Sequence, residues 1–191
     1  MATELPPRER ILATATRLFL QQGVRATGID QIIAEASVAK ATLYYHFSSK
    51  AKLVNAYLGR RHETWMAEFS IRLSRARTLG LPALAEALGD WFSSGKFYGC
   101  AFINITAESP EGEWREHSCA HKDSLRKLIE GLIDKRARSA ARAKVAAKAL
   151  IVVEGMIVRF QMTRDPAVLE DGRGVLKVLA LALDAHRRGG V

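Results

Sequence analysis

The sequence predicts an all-α protein of about nine helices, with a small N-terminal three-helix domain followed by a larger helical domain. Three observations carry that prediction. Apolar residues recur at offsets of three and four along most of the chain, the period of a helix with one buried face. No pair of alternating segments joined by a hairpin turn is present, so a sheet has no signal. Gly23 and the stretch from Gly80 to Pro82 interrupt the helical pattern, separating short helices from longer ones.

Ile11, Leu12, Ala15, Leu18 and Phe19 lie on one face of a first helix from about Arg8 to Gln22, and Gly23 is placed to stop it. Thr27 precedes Ile29, Ile32, Ile33 and Ala36; its hydroxyl is expected to cap a short second helix, with Asp30 favouring the positive helix end. Ser37, Val38 and Ala39 make a turn. A third short helix, Lys40 to Phe47, would bury Leu43 and Phe47 and turn Lys40, Thr42, Tyr45 and His46 outward. Ser48 and Ser49 can cap a long fourth helix reaching about Arg77, with Leu53, Val54, Tyr57, Leu58, Trp65 and Phe69 as its apolar stripe. Further helices are expected at Pro82 to Phe97, Glu113 to Ala137, Ser139 to Arg164 and Pro166 to Arg188. Residues 99–105 have no partner strand and read as a connector into a short helix.

Composition bounds the function. With 48% hydrophobic and 26% charged residues the chain is ordinary for a folded globular protein. Its net charge of +9 favours polyanionic partners. Residues 1–64 hold nine Lys/Arg against five Asp/Glu, only mildly denser in positive charge than the rest, so the charge alone does not place a nucleic-acid site. Cys100 and Cys119 are too few for a disulfide scaffold, and the N-terminal stretch has no signal-peptide core. The most apolar segments are shorter than a membrane span, so a cytoplasmic location is expected. No nucleophile elbow, phosphate loop, dinucleotide fingerprint or paired-histidine zinc motif is present, which argues against an enzyme and implies no cofactor.

Helix, three-residue turn and short exposed helix is the geometry that places a recognition helix in a DNA major groove while its predecessor braces it. The residues GVRATGIDQIIAEASVAKATLYYHFSSKAKLV, with Thr42-Leu43-Tyr44-Tyr45-His46-Phe47 at their centre, closely resemble the DNA-binding domain of the TetR family. The resemblance runs from about Arg8 to Leu58. It implies a DNA-binding domain over residues 6–66, with its motif at about 29–48, and a ligand-binding and dimerisation domain over residues 67–191. It also implies a homodimeric repressor that binds a palindromic operator and is released by a small apolar effector.

By that resemblance Lys40, Thr42 and Tyr45 are the candidates for base contact, and Thr27, Tyr44, His46 and Lys50 for phosphate contact. Each has a plainer reading as well: Tyr44 as a half-buried core tyrosine, Lys50 as a surface lysine. Ser37, Ala39 and Ala41 depart from the family's usual Gly, Ser and Gly. A non-glycine residue in a left-handed turn costs on the order of 1 kcal/mol, so Ser37 is expected instead to cap the third helix.

The segment from Tyr98 to Ser109 is similar to a TetR subgroup carrying Gly-Cys-x-x-x-Asn in its regulatory domain. Trp91, Phe92, Phe102, Trp114, Leu125, Leu128, Met156 and Phe160 can line an apolar cavity, with Asn104, His121 and Gln161 as polar contacts. The same residues can equally fill a core. Glu113, His117 and His121 share one helical face at metal-ligand spacing, but Cys119 points elsewhere and a solvated surface is the better reading. Cys100 reads as a small hydrophobe. Ala147, Leu150, Ile151, Glu154 and Val158, then Leu176, Leu179 and Leu183, are expected to pair two copies through a four-helix bundle. The run Lys135, Arg136, Arg138, Arg142 and Lys144 reads as a solvated helix junction.

Overall fold

The computed structural model describes residues 5–95, 97–109 and 111–188, the side chains of residues 184–188 excepted. Among the described residues there are nine helices and no strand: α1 Pro7–Gln22, α2 Ile29–Ala36, α3 Lys40–His46, α4 Lys50–Ser74, α5 Ala83–Phe92, α6 Ala101–Glu108, α7 Arg115–Gly131, α8 Ser139–Thr163 and α9 Ala167–Arg188. None of them is long and apolar enough to cross a membrane. The chain forms two compact units, Met1–Thr64 with Ala101–Ser118, and Trp65–Cys100 with Cys119–Val191. The division therefore falls inside α4 and inside α7, and α6 belongs to the first unit. The domain limits expected from the sequence are 6–66 and 67–191, of which residues 189–191 lie outside the described residues.

In the first unit α1, α2 and α3 pack on one another. Ile11, Leu12, Ala15, Leu18 and Phe19 of α1 are buried, as are Ile32 and Ala36 of α2, Leu43 of α3, and Leu53, Val54, Tyr57 and Leu58 of α4. Phe19 meets the Tyr57 ring edge-on at 5.2 Å. Pro7 at the start of α1 suits a position whose N–H would have no helical partner. Gly23 ends the helix with φ 88° while its N–H reaches the Phe19 carbonyl. α6 buries Ala101, Phe102 and Ile105.

Two capping expectations are corrected. α2 starts at Gly28 with no side-chain cap, because the Thr27 hydroxyl turns inward and donates to the Gly23 carbonyl at 2.6 Å. Ser37 does not cap α3 either; it takes the left-handed conformation, φ 53° and ψ 52°, and α3 begins at Ala39 without a side-chain cap. The Ser37 N–H bonds to Ala34 and the Val38 N–H to Ile33, each at 3.2 Å, the two-bond pattern that closes a helix around a glycine-like residue. Arg10 donates to the Ser37 carbonyl at 3.2 Å, which fixes the turn from outside. Ser49 does cap α4, accepting the Lys52 N–H at 3.2 Å.

In the second unit α5, α8 and α9 pack together. Trp65 stacks on Phe69 at 4.6 Å and meets Trp91 edge-on at 5.3 Å, while Phe92 stacks on Phe160 at 4.3 Å. α8 and α9 approach closely at Gly172, where a methyl group would overlap the Met156 side chain. α4 stops at Ser74 rather than Arg77 because the Glu86 carboxylate accepts the N–H groups of Arg77 and Thr78 at 2.9 and 3.2 Å. Those bonds, the Thr78 hydroxyl first, hold the Glu86 carboxyl below its usual value. α5 ends at Phe92 and not Phe97, its last turn giving way to Ser93, Ser94 and a left-handed Gly95. α7 ends at Gly131 and not Ala137, where Asp134 accepts the Arg136 N–H at 2.9 Å in a turn.

Candidate nucleic-acid interface

α3 is held by two side chains on its inner face. Leu43 is fully buried, and Phe47 at its end is covered by the Arg8 guanidinium 5.2 Å above the ring. Lys40, Ala41, Tyr44 and Tyr45 are exposed, Lys40 as the first residue of the helix and Tyr45, at 85% exposure, on the side opposite Leu43 and Phe47. Thr42 and His46 are half-buried, and the His46 ring meets Tyr45 edge-on at 5.1 Å. This is a short helix with a polar, aromatic outer face and an apolar anchor, the form needed to enter a groove and read base edges. The Lys40 ammonium lies 3.7 Å from Asp30 in an exposed pair worth little, so phosphate or a base can displace it at small cost.

The remaining candidates flank α3. Lys50 is the first residue of α4, where backbone N–H groups and the helix dipole favour an anion. Partial burial pulls its ammonium below the usual lysine range, opposed by the Glu108 carboxylate. Thr27 is fully buried, with its hydroxyl accepting from Gln22 at 3.2 Å as well as donating to Gly23. The side chain therefore shapes the turn between α1 and α2. Arg17 pairs with Glu35 across α1 and α2, and this bond followed by that from Gln31 lowers the Glu35 carboxyl. Arg60 binds Glu9 at 2.6 Å. Sequence reasoning missed Arg10, Ser37 in its left-handed role, and Glu108, which accepts the N–H of Arg25, 83 positions away in sequence.

The candidate effector residues divide between the two units. Phe102, Asn104 and Trp114 lie in the first, and Trp91, Phe92, His121, Leu125, Met156, Phe160 and Gln161 in the second. In the second unit Trp91 also meets Phe97 edge-on at 5.0 Å, and His121 is buried against Trp65 at 5.2 Å. Gln161 rests on the Gly99 backbone. In the first, Asn104 borders a small void with Phe19, Tyr57 and Glu108, and the indole N–H of Trp114 is buried without a hydrogen-bond partner. Cys100 is buried 3.6 Å from the Lys122 ammonium, which pairs with Glu154 at 3.0 Å.

The long C-terminal helices carry an open apolar face that differs from the expected one. Leu176 and Leu183 are buried within the unit, and Glu154 is engaged by Lys122. Ile151 and Val158 of the expected set are exposed on α8, joined there by Met162, while on α9 the exposed residues are Val175, Val178 and Leu181 in place of Leu176 and Leu183. Leu150 and Leu179 are half-buried.

Residues 11–57 match the family described as bacterial regulatory proteins, tetR family. Over 40 residues the chain is 58% identical to the transcriptional regulator LmrA of Bacillus subtilis, a match covering 21% of each protein. A longer match, 27% identical over 172 residues, covers 86% of this chain and 76% of the transcriptional activator FasR of Mycolicibacterium smegmatis. Among solved structures, the TetR-family regulator SCO4454 of Streptomyces coelicolor is similar with a TM-score of 0.80 and 28% identity, covering 93% of this chain and 95% of that one. The multidrug-binding protein EbrR, solved with malachite green, shares the fold at a TM-score of 0.71 and 22% identity, covering 90% of this chain and 96% of that chain.

Proposed function

We propose that this chain, a member of the TetR family of transcriptional regulators, is a cytoplasmic repressor that binds a palindromic operator as a homodimer and leaves it when a small apolar molecule binds its second unit. Members of the family are transcription factors, not enzymes. The observation that carries the reading is α3: Lys40, Tyr44 and Tyr45 stand outward on a short helix anchored by Leu43 and Phe47. One such helix makes too small a contact for tight binding, and two in a two-fold dimer read two half-sites a helical turn or more apart. The apolar face of Ile151, Met162, Val178 and Leu181 supports the pairing, since an isolated monomer would leave those side chains in water. An apolar effector suits the aromatic cluster of the second unit, and EbrR, solved with malachite green, is a precedent in the fold.

FasR is named an activator, so the sign of regulation needs its own measurement. The test begins with selection of bound fragments from genomic DNA at physiological salt. The best fragment is then placed before a reporter with and without the protein, and metabolites are screened for its release. Failure to enrich any sequence over bulk DNA removes the regulator reading, and enrichment with raised reporter output replaces repression by activation.

A further inference from the structure

We propose that Glu108, at the C-terminal end of α6, is a positioning residue for DNA binding: it latches the turn that sets α2 and α3 on α1. The inference rests on the DNA-binding reading above and adds a part of the chain that no helix-turn-helix motif contains. The Glu108 carboxylate accepts the backbone N–H of Arg25 at 2.8 Å, in the middle of the α1–α2 turn. Gly23 is the residue that allows this approach. A Cβ there would come within 2.7 Å of the Glu108 carboxylate, and the Gly23 φ of 88° already disfavours a side chain. The turn is thus fixed from two sides, by Thr27 bonded inward to Gly23 and by Glu108 bonded outward to Arg25.

The body of α6 is seated on the same unit through Ala101, Phe102 and Ile105, with Phe19, Val24 and Tyr57 lining the void beside Glu108. A buried seat with a charge-assisted bond at its end gives α6 a defined contact point on the turn. Glu108 also places negative charge near Lys50, so the latch tempers the positive potential that phosphate meets there.

The experiment compares wild type, Glu108→Ala and Glu108→Gln in the full chain, well below the melting temperature of each. Hydrogen exchange at the Arg25 amide is measured by NMR, and affinity for the selected genomic fragment by fluorescence anisotropy over a salt series. In Glu108→Ala the Arg25 amide should exchange faster and affinity should fall about fivefold, the loss expected for one hydrogen bond that orders the binding conformation. Glu108→Gln keeps an acceptor oxygen and removes the charge, so it should restore protection at Arg25. It should bind at least as tightly as wild type, with a steeper dependence on salt. Loss of stability alone would not produce rescue of affinity by glutamine together with a steeper salt slope. If wild type binds no DNA fragment, the regulator reading itself is wrong. If wild type binds and Glu108→Ala matches it, or Glu108→Gln is as weak as Glu108→Ala, the latch is overturned while the regulator reading stands.

Discussion

Val178→Glu is the sharpest test of the proposed homodimer. Val178 is 65% exposed on α9 and lies beside Val175 and Leu181, which are also exposed. Full burial of a valine or leucine side chain is worth about 1.5 to 3 kcal/mol, so covering the remaining two-thirds of Val178 gains about 1 to 2 kcal/mol. Two-fold symmetry counts the site twice, giving about 2 to 4 kcal/mol lost from the dimer before any charge is considered. The two carboxylates add a desolvation penalty, because a charge buried without a partner costs several kcal/mol. Loss of apolar burial alone should therefore raise the dimer dissociation constant about 30-fold to a thousandfold, and the charges should raise it further. Because the side chain is mostly in water in the protomer, far-ultraviolet circular dichroism should be unchanged. Leu179 is a poorer choice, since it is half-buried in the groove between α8 and α9 and a charge there would disturb the protomer as well. Sedimentation velocity across nanomolar to micromolar concentrations gives the constant, and anisotropy with a full and a half operator gives its consequence for DNA. A Val178→Glu variant that dimerises like wild type and still binds the full operator would refute the assigned face.

Replacing Lys50 by Ala should weaken binding to every DNA sequence and lower the salt slope by about one unit, as loss of one phosphate contact requires; an unchanged slope in a salt series removes Lys50 from that role. Lys40→Ala or Thr42→Ala should instead change preference among operator variants by about 1 to 3 kcal/mol per lost base contact, checked by competition between single-base substitutions. Ser37→Gly should stabilise the fold by on the order of 1 kcal/mol, because Ser37 holds φ 53° in a slot that glycine occupies without strain; urea titration of both proteins measures it. Glu35 should make stability fall in acid. Its folded value lies below the ordinary 4.5, so its contribution is present above pH 4.5 and is lost as pH drops through the lowered value; Glu35→Gln should flatten that limb of a stability-versus-pH curve.

Of the residues expected outward on α3, Tyr45 was legible because it lies opposite Leu43 and Phe47 on the helix, and Lys40 is exposed as the first residue of α3; Thr42 and His46 are half-buried and Tyr44 is exposed, because packing beyond the helix sets how far each flank is covered. Thr27 was misread for a related reason. A threonine before a helix has two good acceptors within reach, and the choice between capping α2 and bonding to Gly23 depends on how the α1–α2 turn packs. The residue that closes α2 was misjudged because propensity disfavours a left-handed serine. The two backbone bonds at Ser37 and Val38, with Arg10 on the Ser37 carbonyl, outweigh that preference.

Spacing within single helices was enough to give the number and type of the helices and the inner residues of the N-terminal motif, because these follow from a local period. Which face of a long helix stays open was settled by packing between helices. On α9, Leu176 and Val178 differ by two residues, about 200° around the helix, and both sides are apolar, so periodicity cannot choose between them. Packing with α5 and α8 takes Leu176 and Leu183 and leaves Val175, Val178 and Leu181 outside. Tertiary packing also brought Glu108 to Arg25 across 83 residues. A contact of that kind leaves no periodic trace, because it is set by where α6 seats on the first unit and not by anything in the sequence around either residue.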